Sequence, residues 1–192
     1  MIDLALPHAT DRLLLRRFAT GDLARFQAYR CDPEVGRYQG WSVMDDSAAA
    51  AFIATMATTP IGIPGDWVQI AIADRASGNL VGDIGLGVRD EPASVAELGF
   101  TIAPSSQGRG LGTEAVRGAL EMLFARTGIE LVEGITDARN APSIGLLERV
   151  GMRMQRTQDV LFKSEPCIEY VFSLSRAQWF ELTSKSNSSN PR

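Results

Sequence analysis

Apolar runs of period two and stretches of helical period succeed one another along this chain, and each change of period marks an element. Residues 13–17 read as a first strand. Gly21-Asp22 opens an amphipathic stretch in which Leu23, Phe26 and Arg30 fall near helical spacing, and residues 47–58 are alanine-rich and apolar on one side, which predicts a second helix. Between these helices the run CDPEVGRYQGWSVMDD, residues 31–46, mixes turn formers with Tyr38 and Trp41 and is a candidate substrate lid. After the break PIGIPG, the runs WVQIAIAD and NLVGDIGLGV alternate around the turn Ala76-Ser77-Gly78-Asn79 and predict an antiparallel hairpin. A third strand, VAELGFTIA, stops at Pro104, which has no N–H to give to a ladder.

A helix is expected over residues 110–126, starting at the end of a glycine cluster, and LVEGIT reads as the next strand. Asn140 followed by Pro142 makes a helix start, and APSIGLLERV ends at Gly151, a favoured left-handed cap. Two more strands over residues 154–161 and 168–173 precede a short helix around Trp179. The order βααβββαβαββ mixes hairpins with one β-α-β passage, which predicts an α/β chain with a mixed α+β sheet rather than a doubly wound one. Residues 1–183 are read as one domain and the polar stretch 184–192 as a disordered tail.

With 192 residues, 45% hydrophobic and 22% charged, the chain can bury the core of one soluble domain. Its net charge of −4 offers no field for a phosphate backbone, so nucleic acid is not expected as a partner and a cationic one is easier to accept. Two cysteines, Cys31 and Cys167, are too few for a metal knuckle and read as reduced, partly buried thiols, with a single bridge left open. His8 is the only histidine and lies ahead of the first expected strand, which disfavours a Ser-His-acid triad or a His-based metal site; no metal is expected. The opening residues lack a basic segment followed by a long apolar one, and no stretch is long enough to span a bilayer, so a cytoplasmic protein without a membrane partner is expected.

Between the third strand and the following helix lie Gln107, Gly108, Arg109, Gly110, Leu111 and Gly112. Glycines let backbone approach a ligand, and the free N–H groups and dipole of a helix N-terminus favour a pyrophosphate. No Lys-Ser or Lys-Thr follows as a P-loop needs, and Thr113 stands where the third glycine of G-x-G-x-x-G would be. The run Gln107 to Gly112 resembles the (Q/R)-x-x-G-x-(G/A) signature of the GNAT acetyltransferases, and Asn140-Ala141-Pro142-Ser143 through Gly151-Met152 resembles that family's downstream N-x-x-(A/S)…G-F segment. TDRLLLRRFATGDL and DPEVGRYQGW are similar to the openings of the branch that includes ribosomal-protein N-terminal alanine acetyltransferases and many aminoglycoside acetyltransferases. The likeness covers about residues 10–180.

The resemblance implies a GNAT fold: a mostly antiparallel sheet with a β-α-β coenzyme A-binding core, acetyl-coenzyme A as acetyl donor, and an N-acetyltransferase acting by direct attack in a ternary complex. The strand before the glycine turn would part from its neighbour at a bulge, with Phe100, Thr101 and Ile102 offering backbone groups to pantetheine. Gln107 to Gly112, with Thr113, would hold the pyrophosphate; Arg109 reads as a phosphate-side or surface charge. Asn140 would bond the pantetheine arm, and Ser143 would stand near the sulfur as a proton donor. A tyrosine acid is common four residues after that serine position, where this chain has Leu147.

Glu97, three residues before Phe100, is where the branch often carries an acidic residue facing the acceptor; it is the candidate general base, working through a water. Its plain alternative is a solvent-facing strand carboxylate with an ordinary pKa, which would be a weak base. Tyr38, Trp41, Trp67, Asp45 and Asp46 could receive a cation between aromatic faces and carboxylates, or the aromatics could simply be core. The expected acceptor is a primary amine, either a peptide or protein α-amine or a small polyamine such as an aminoglycoside, on a monomer or homodimer. An acyl-coenzyme A-binding module without turnover is the competing reading.

Overall fold

The computed structural model describes residues 4–188 except residue 93. Its elements in chain order are β1 (His8–Ala9), β2 (Leu13–Arg16), α1 (Leu23–Arg30), α2 (Pro33–Gly36), α3 (Asp46–Thr58), β3 (Trp67–Asp74), β4 (Leu80–Val88), β5 (Val95–Ile102), α4 (Leu111–Arg126), β6 (Leu131–Asp137), α5 (Ala141–Arg149), β7 (Arg153–Phe162), β8 (Glu165–Ser175) and α6 (Arg176–Ser188). The strands form one eight-stranded sheet of order β1-β2-β3-β4-β5-β6-β8-β7. Every pairing is antiparallel except β5 with β6, which the crossover helix α4 makes parallel.

Three elements differ from the sequence reading. His8 lies in a two-residue strand that pairs with Leu15, not ahead of the first strand. The lid carries a single helical turn, α2, started by Pro33 and capped by the Asp32 carboxylate, which accepts from the Glu34 N–H at 2.9 Å. The last helix runs to Ser188, so residues 184–188, assigned to a disordered tail, are helical; residues 189–192 lie outside the described residues.

Both faces of the central strands are covered. On one, Leu111, Ala115, Val116, Ala119, Leu120 and Leu123 of α4 meet Ile84, Ala96 and Leu98 of the sheet. On the other, Phe26 of α1 and Ile53 of α3 close over Ala71 and Leu80. This double cover explains why β3 and β4 are buried almost throughout where a polar alternation was expected. Helix α5 ends in the anticipated glycine cap: Gly151 adopts φ 98°, its N–H donates to Glu148 O, and the Met152 N–H donates to Leu147 O.

The sheet opens in its middle. β5 and β6 pair only over Val95–Glu97 against Leu131–Glu133 and then part. Against β4, β5 pairs residue for residue from Ala96 to Ile102, so the parting needs no extra residue on that side and the expected bulge is not seen there.

Candidate active site

The alternation of an antiparallel ladder decides which backbone groups face the opening. Ala103 N–H donates to Val81 O and Arg89 N–H to Val95 O, both at 2.9 Å, which sets the odd-numbered residues of β5 as those bonded to β4. The backbone groups of Phe100 and Ile102 therefore point at the gap. Those of Thr101 face Asp83 on β4, so the expectation that Thr101 offers backbone to pantetheine is corrected: the period of a strand makes alternate residues, not successive ones, available. Two side-chain amides meet the open carbonyls. Gln39 Nε2 donates to Phe100 O at 3.4 Å and Gln107 Nε2 to Ile102 O at 2.9 Å.

Below this edge lies the glycine turn. Gly108 and Gly110 sit at φ 71° and 75°, a left-handed region that side-chain-bearing residues avoid, and Gly110 caps α4 with no side chain to bond its first N–H groups. A methyl group on Gly112 would come within 2.8 Å of Leu146 and 3.3 Å of Ile102, so this glycine lets α4, α5 and β5 close together. A cavity of about 610 Å³ runs from the turn to the lid. Phe100, Ile102, Gln107, Gly108, Gly110, Leu111, Gly112, Thr113, Asn140 and Ser143 all line it. Arg109 does not: its charge is felt by Asp74, and its carbonyl accepts from Arg12 at 3.0 Å. Free helix N–H groups, a glycine turn and an open strand edge in one groove fit a long, pyrophosphate-bearing ligand.

Asn140 Oδ1 accepts from the Ser143 N–H at 3.3 Å, the N-cap expected of it. Arg139 joins the same cavity, a residue the sequence reading passed over. Asp137 fixes it through two side-chain bonds of 2.9 and 2.6 Å, and this pairing pushes the Arg139 pKa up and the Asp137 pKa down.

A second cavity, of about 730 Å³, opens on the other face of the sheet under the lid. Its floor is Trp67, 44% exposed, lying across Gly85 and Gly87 of β4; a methyl on either glycine would overlap the indole ring. Glu97, Glu169, Tyr38, Phe162 and Ile135 surround it. Glu97 is half-buried, and its carboxyl is pushed above the ordinary range by desolvation first, then by the neighbouring charges of Glu133 and Glu169, against the opposing pull of Arg89. Glu97 is thus neither fully exposed nor of ordinary pKa, and it faces an open cavity.

Asp45 and Asp46 are not at this cavity. Asp45 caps α3 through the Ala48 N–H at 2.8 Å, and Asp46 accepts from Gln27. Tyr38, Trp41 and Trp67 do line the cavity. One of these rings already carries a cation of the protein's own: Arg30, 2% exposed, lies 3.7 Å from the Trp41 ring and pairs with the buried Asp83 at 3.1 Å. Tyr29 donates to the same carboxylate at 2.5 Å, and Gln69 accepts from Arg30. Only the Arg30 spacing on α1 was visible in sequence; its partners come from β3, β4 and the lid. Cys31 is exposed rather than partly buried, Cys167 is partly buried, and the two are not bridged. Among the described residues no helix is long and apolar enough to cross a membrane, and no group of three His, Cys, Asp or Glu side chains could hold a metal ion.

Similarity to known proteins agrees with this geometry. An uncharacterised N-acetyltransferase, p20, of Bacillus licheniformis is 25% identical over 172 residues, 88% of this chain and 96% of its own. An acetyltransferase of the GNAT family from Bacillus anthracis superposes with a TM-score of 0.77 at 20% identity, covering 88% of this chain and 98% of that one. Spermidine N-acetyltransferase from Vibrio cholerae, solved with coenzyme A and spermine, superposes with a TM-score of 0.73 at 16% identity, covering 89% and 99%. The family model of the acetyltransferase (GNAT) domain matches residues 12–153, and the chain belongs to that family of acetyl-coenzyme A-dependent acetyltransferases.

Proposed function

We propose that the protein transfers an acetyl group from acetyl-coenzyme A to a primary amine, a peptide or protein α-amine or a small polyamine, by direct attack in a ternary complex. One observation carries the reading: the groove with the glycine turn and the cavity holding Glu97 lie on opposite faces of the sheet and share the lining residues Tyr38, Gln39 and Phe100, where the strands have parted. An acyl group delivered along the first meets an amine held in the second. The thioester supplies an activated acetyl carbon, and positioning does much of the rest.

Phe100 and Ile102 hold the donor arm by backbone, with Asn140 beside them, and the first turn of α4 holds the pyrophosphate. Glu97, raised in pKa, takes the ammonium proton through a water. At pH 7 deprotonation costs about 4–5 kcal/mol for a lysine-like amine and about 1 kcal/mol for an α-amine. The acceptor side favours a cation. Among the described residues Asp83, Glu133 and Asp137 each pair with an arginine, while Glu97 and Glu169 face the cavity without an ion pair beside the Trp67 floor.

The test is thiol release from acetyl-coenzyme A across peptides, polyamines and aminoglycosides, with wild type and Glu97→Gln. The variant is expected to bind the donor normally, lose about 10²–10⁴ in rate at pH 7, and regain part of it at higher pH, least impaired on an α-amine. Wild-type turnover by Glu97→Gln on the best acceptor would reduce Glu97 to a structural carboxylate. Donor binding by wild type with no thiol release on any amine would favour a binding module.

A further inference from the structure

The departing thiol has no acid at the place the resemblance indicates. Leu147 is 1% exposed and packs against the backbone of Gly134, so no group there can donate a proton. Ser143 lines the first cavity alone, and an aliphatic hydroxyl is a much weaker acid than a phenol. Bond breaking takes place where the two cavities meet. Of the three residues lining both, Phe100 and Gln39 have no acidic proton, and Tyr38 has one.

Charged groups surround Tyr38 from several elements. Arg37 stands 5.5 Å from the ring centre on the same segment, and itself pairs with Glu34. From the loop after β6, the Arg139 guanidinium lies within electrostatic reach of the phenol, held by Asp137 in a fixed orientation. From the β7–β8 turn, Lys163 Nζ donates to Gly36 O at 2.8 Å and so ties the lid down two residues before Tyr38. Of these cations, Arg139 is the one whose charge is coupled to the Tyr38 phenol.

We propose that Tyr38 is the general acid that protonates the departing sulfur, with Arg139 as the cation that steadies the resulting phenolate. This rests on the amine acetylation read above. The amine nitrogen forms its bond to the acetyl carbon, the carbon–sulfur bond breaks with its electron pair on sulfur, and Tyr38 gives that sulfur its proton. The nitrogen, entering as an ammonium, gives up two protons: Glu97 takes the first through a water before attack and passes it to solvent, then takes the second as the carbon–nitrogen bond forms. Glu97 returns that proton to solvent and solvent returns one to Tyr38, so one proton is released per turnover.

Tyr38→Phe keeps the ring and removes the proton. With acetyl-coenzyme A it is expected to lower kcat by about 10- to 100-fold with both KM values unchanged. With the selenium analogue of the donor, whose selenol is acidic enough to leave unprotonated, the loss should shrink to about threefold or less. Ser143→Ala should cost less than about tenfold. A binding measurement reads the same contact without turnover: the ultraviolet absorbance of the thiolate of bound coenzyme A, followed against pH, should show the sulfur ionising at lower pH on wild type than on Tyr38→Phe, because the phenol donates to the thiolate. Equal losses with the sulfur and selenium donors, or an unshifted thiol ionisation, would make Tyr38 a structural lid residue. A loss of many orders in Ser143→Ala with normal donor binding would move the acid to Ser143. Failure of wild type to release thiol with any amine overturns the amine reading instead, and the thiol ionisation still decides whether Tyr38 faces the sulfur.

Discussion

Glu97 owes its raised pKa first to burial and then to a like charge on the neighbouring strand. Glu133 stands beside it in the parallel register of β5 and β6, and Glu133 is buried between Arg89 and Arg156, the latter at 3.5 Å. Burial is the first cause of the raised Glu97 pKa and the Glu133 charge the second, with Arg89 pulling the other way. Glu133→Gln removes the like charge and also frees Arg89 to act on Glu97, and both effects favour the ionised base. The acid limb of the kcat/KM profile should then move to lower pH, by about one unit or less. An unmoved or rising limb, measured on an α-amine acceptor, would separate Glu97 from that limb. The same neighbourhood shows why Glu169 and Arg139 escaped the sequence reading. Each is an ordinary charged residue in its own segment, and only the pairing of β6 with β8 puts Glu169 on the Glu97 face.

Among the elements, α4 carries the most chemistry and was the easiest to read. Its start needs a left-handed residue, and Gly110 at φ 75° supplies it with a bare cap. Gly110→Asp forces a side chain into the left-handed region, its Cβ starting 3.6 Å from the Arg12 guanidinium, and so strains the turn that presents the first N–H groups of α4. Acetyl-coenzyme A should raise the melting temperature of wild type by several degrees and leave the variant unmoved; equal stabilisation of two folded proteins would displace the site from this turn. Most strands and helices were legible for the same kind of reason, a period kept over six residues or more. Two were not: β1 is too short to hold a period, and α2 is a single capped turn inside a loop. The groove was legible in part. Glycines and the Asn140 cap announce themselves locally, whereas the silence of Thr101 follows from register against β4, which no single segment encodes. The Arg30, Asp83, Tyr29 and Trp41 cluster was illegible for the same cause, since its members come from α1, β4 and the lid.

For the molecule as a whole, a sheet that opens in the middle exposes what sheets normally hide. Beyond Glu97, β5 has a free edge inside the fold, and such an edge is a template on which a strand from another molecule can add. Gln39 and Gln107 cover it with side-chain amides, one from the lid and one from the glycine turn, at Phe100 and Ile102. Their removal bears on the protein's fate in concentrated solution: a double Gln39→Ala, Gln107→Ala variant, kept without ligand, should scatter light sooner than wild type during prolonged warming. Acetyl-coenzyme A, occupying the same carbonyls, should restore its clarity. Identical scattering curves in all conditions would mean that the fold guards this edge by other means. On this view the ligand groove is also a seam at which a second chain could add, and the two glutamines are its stitching.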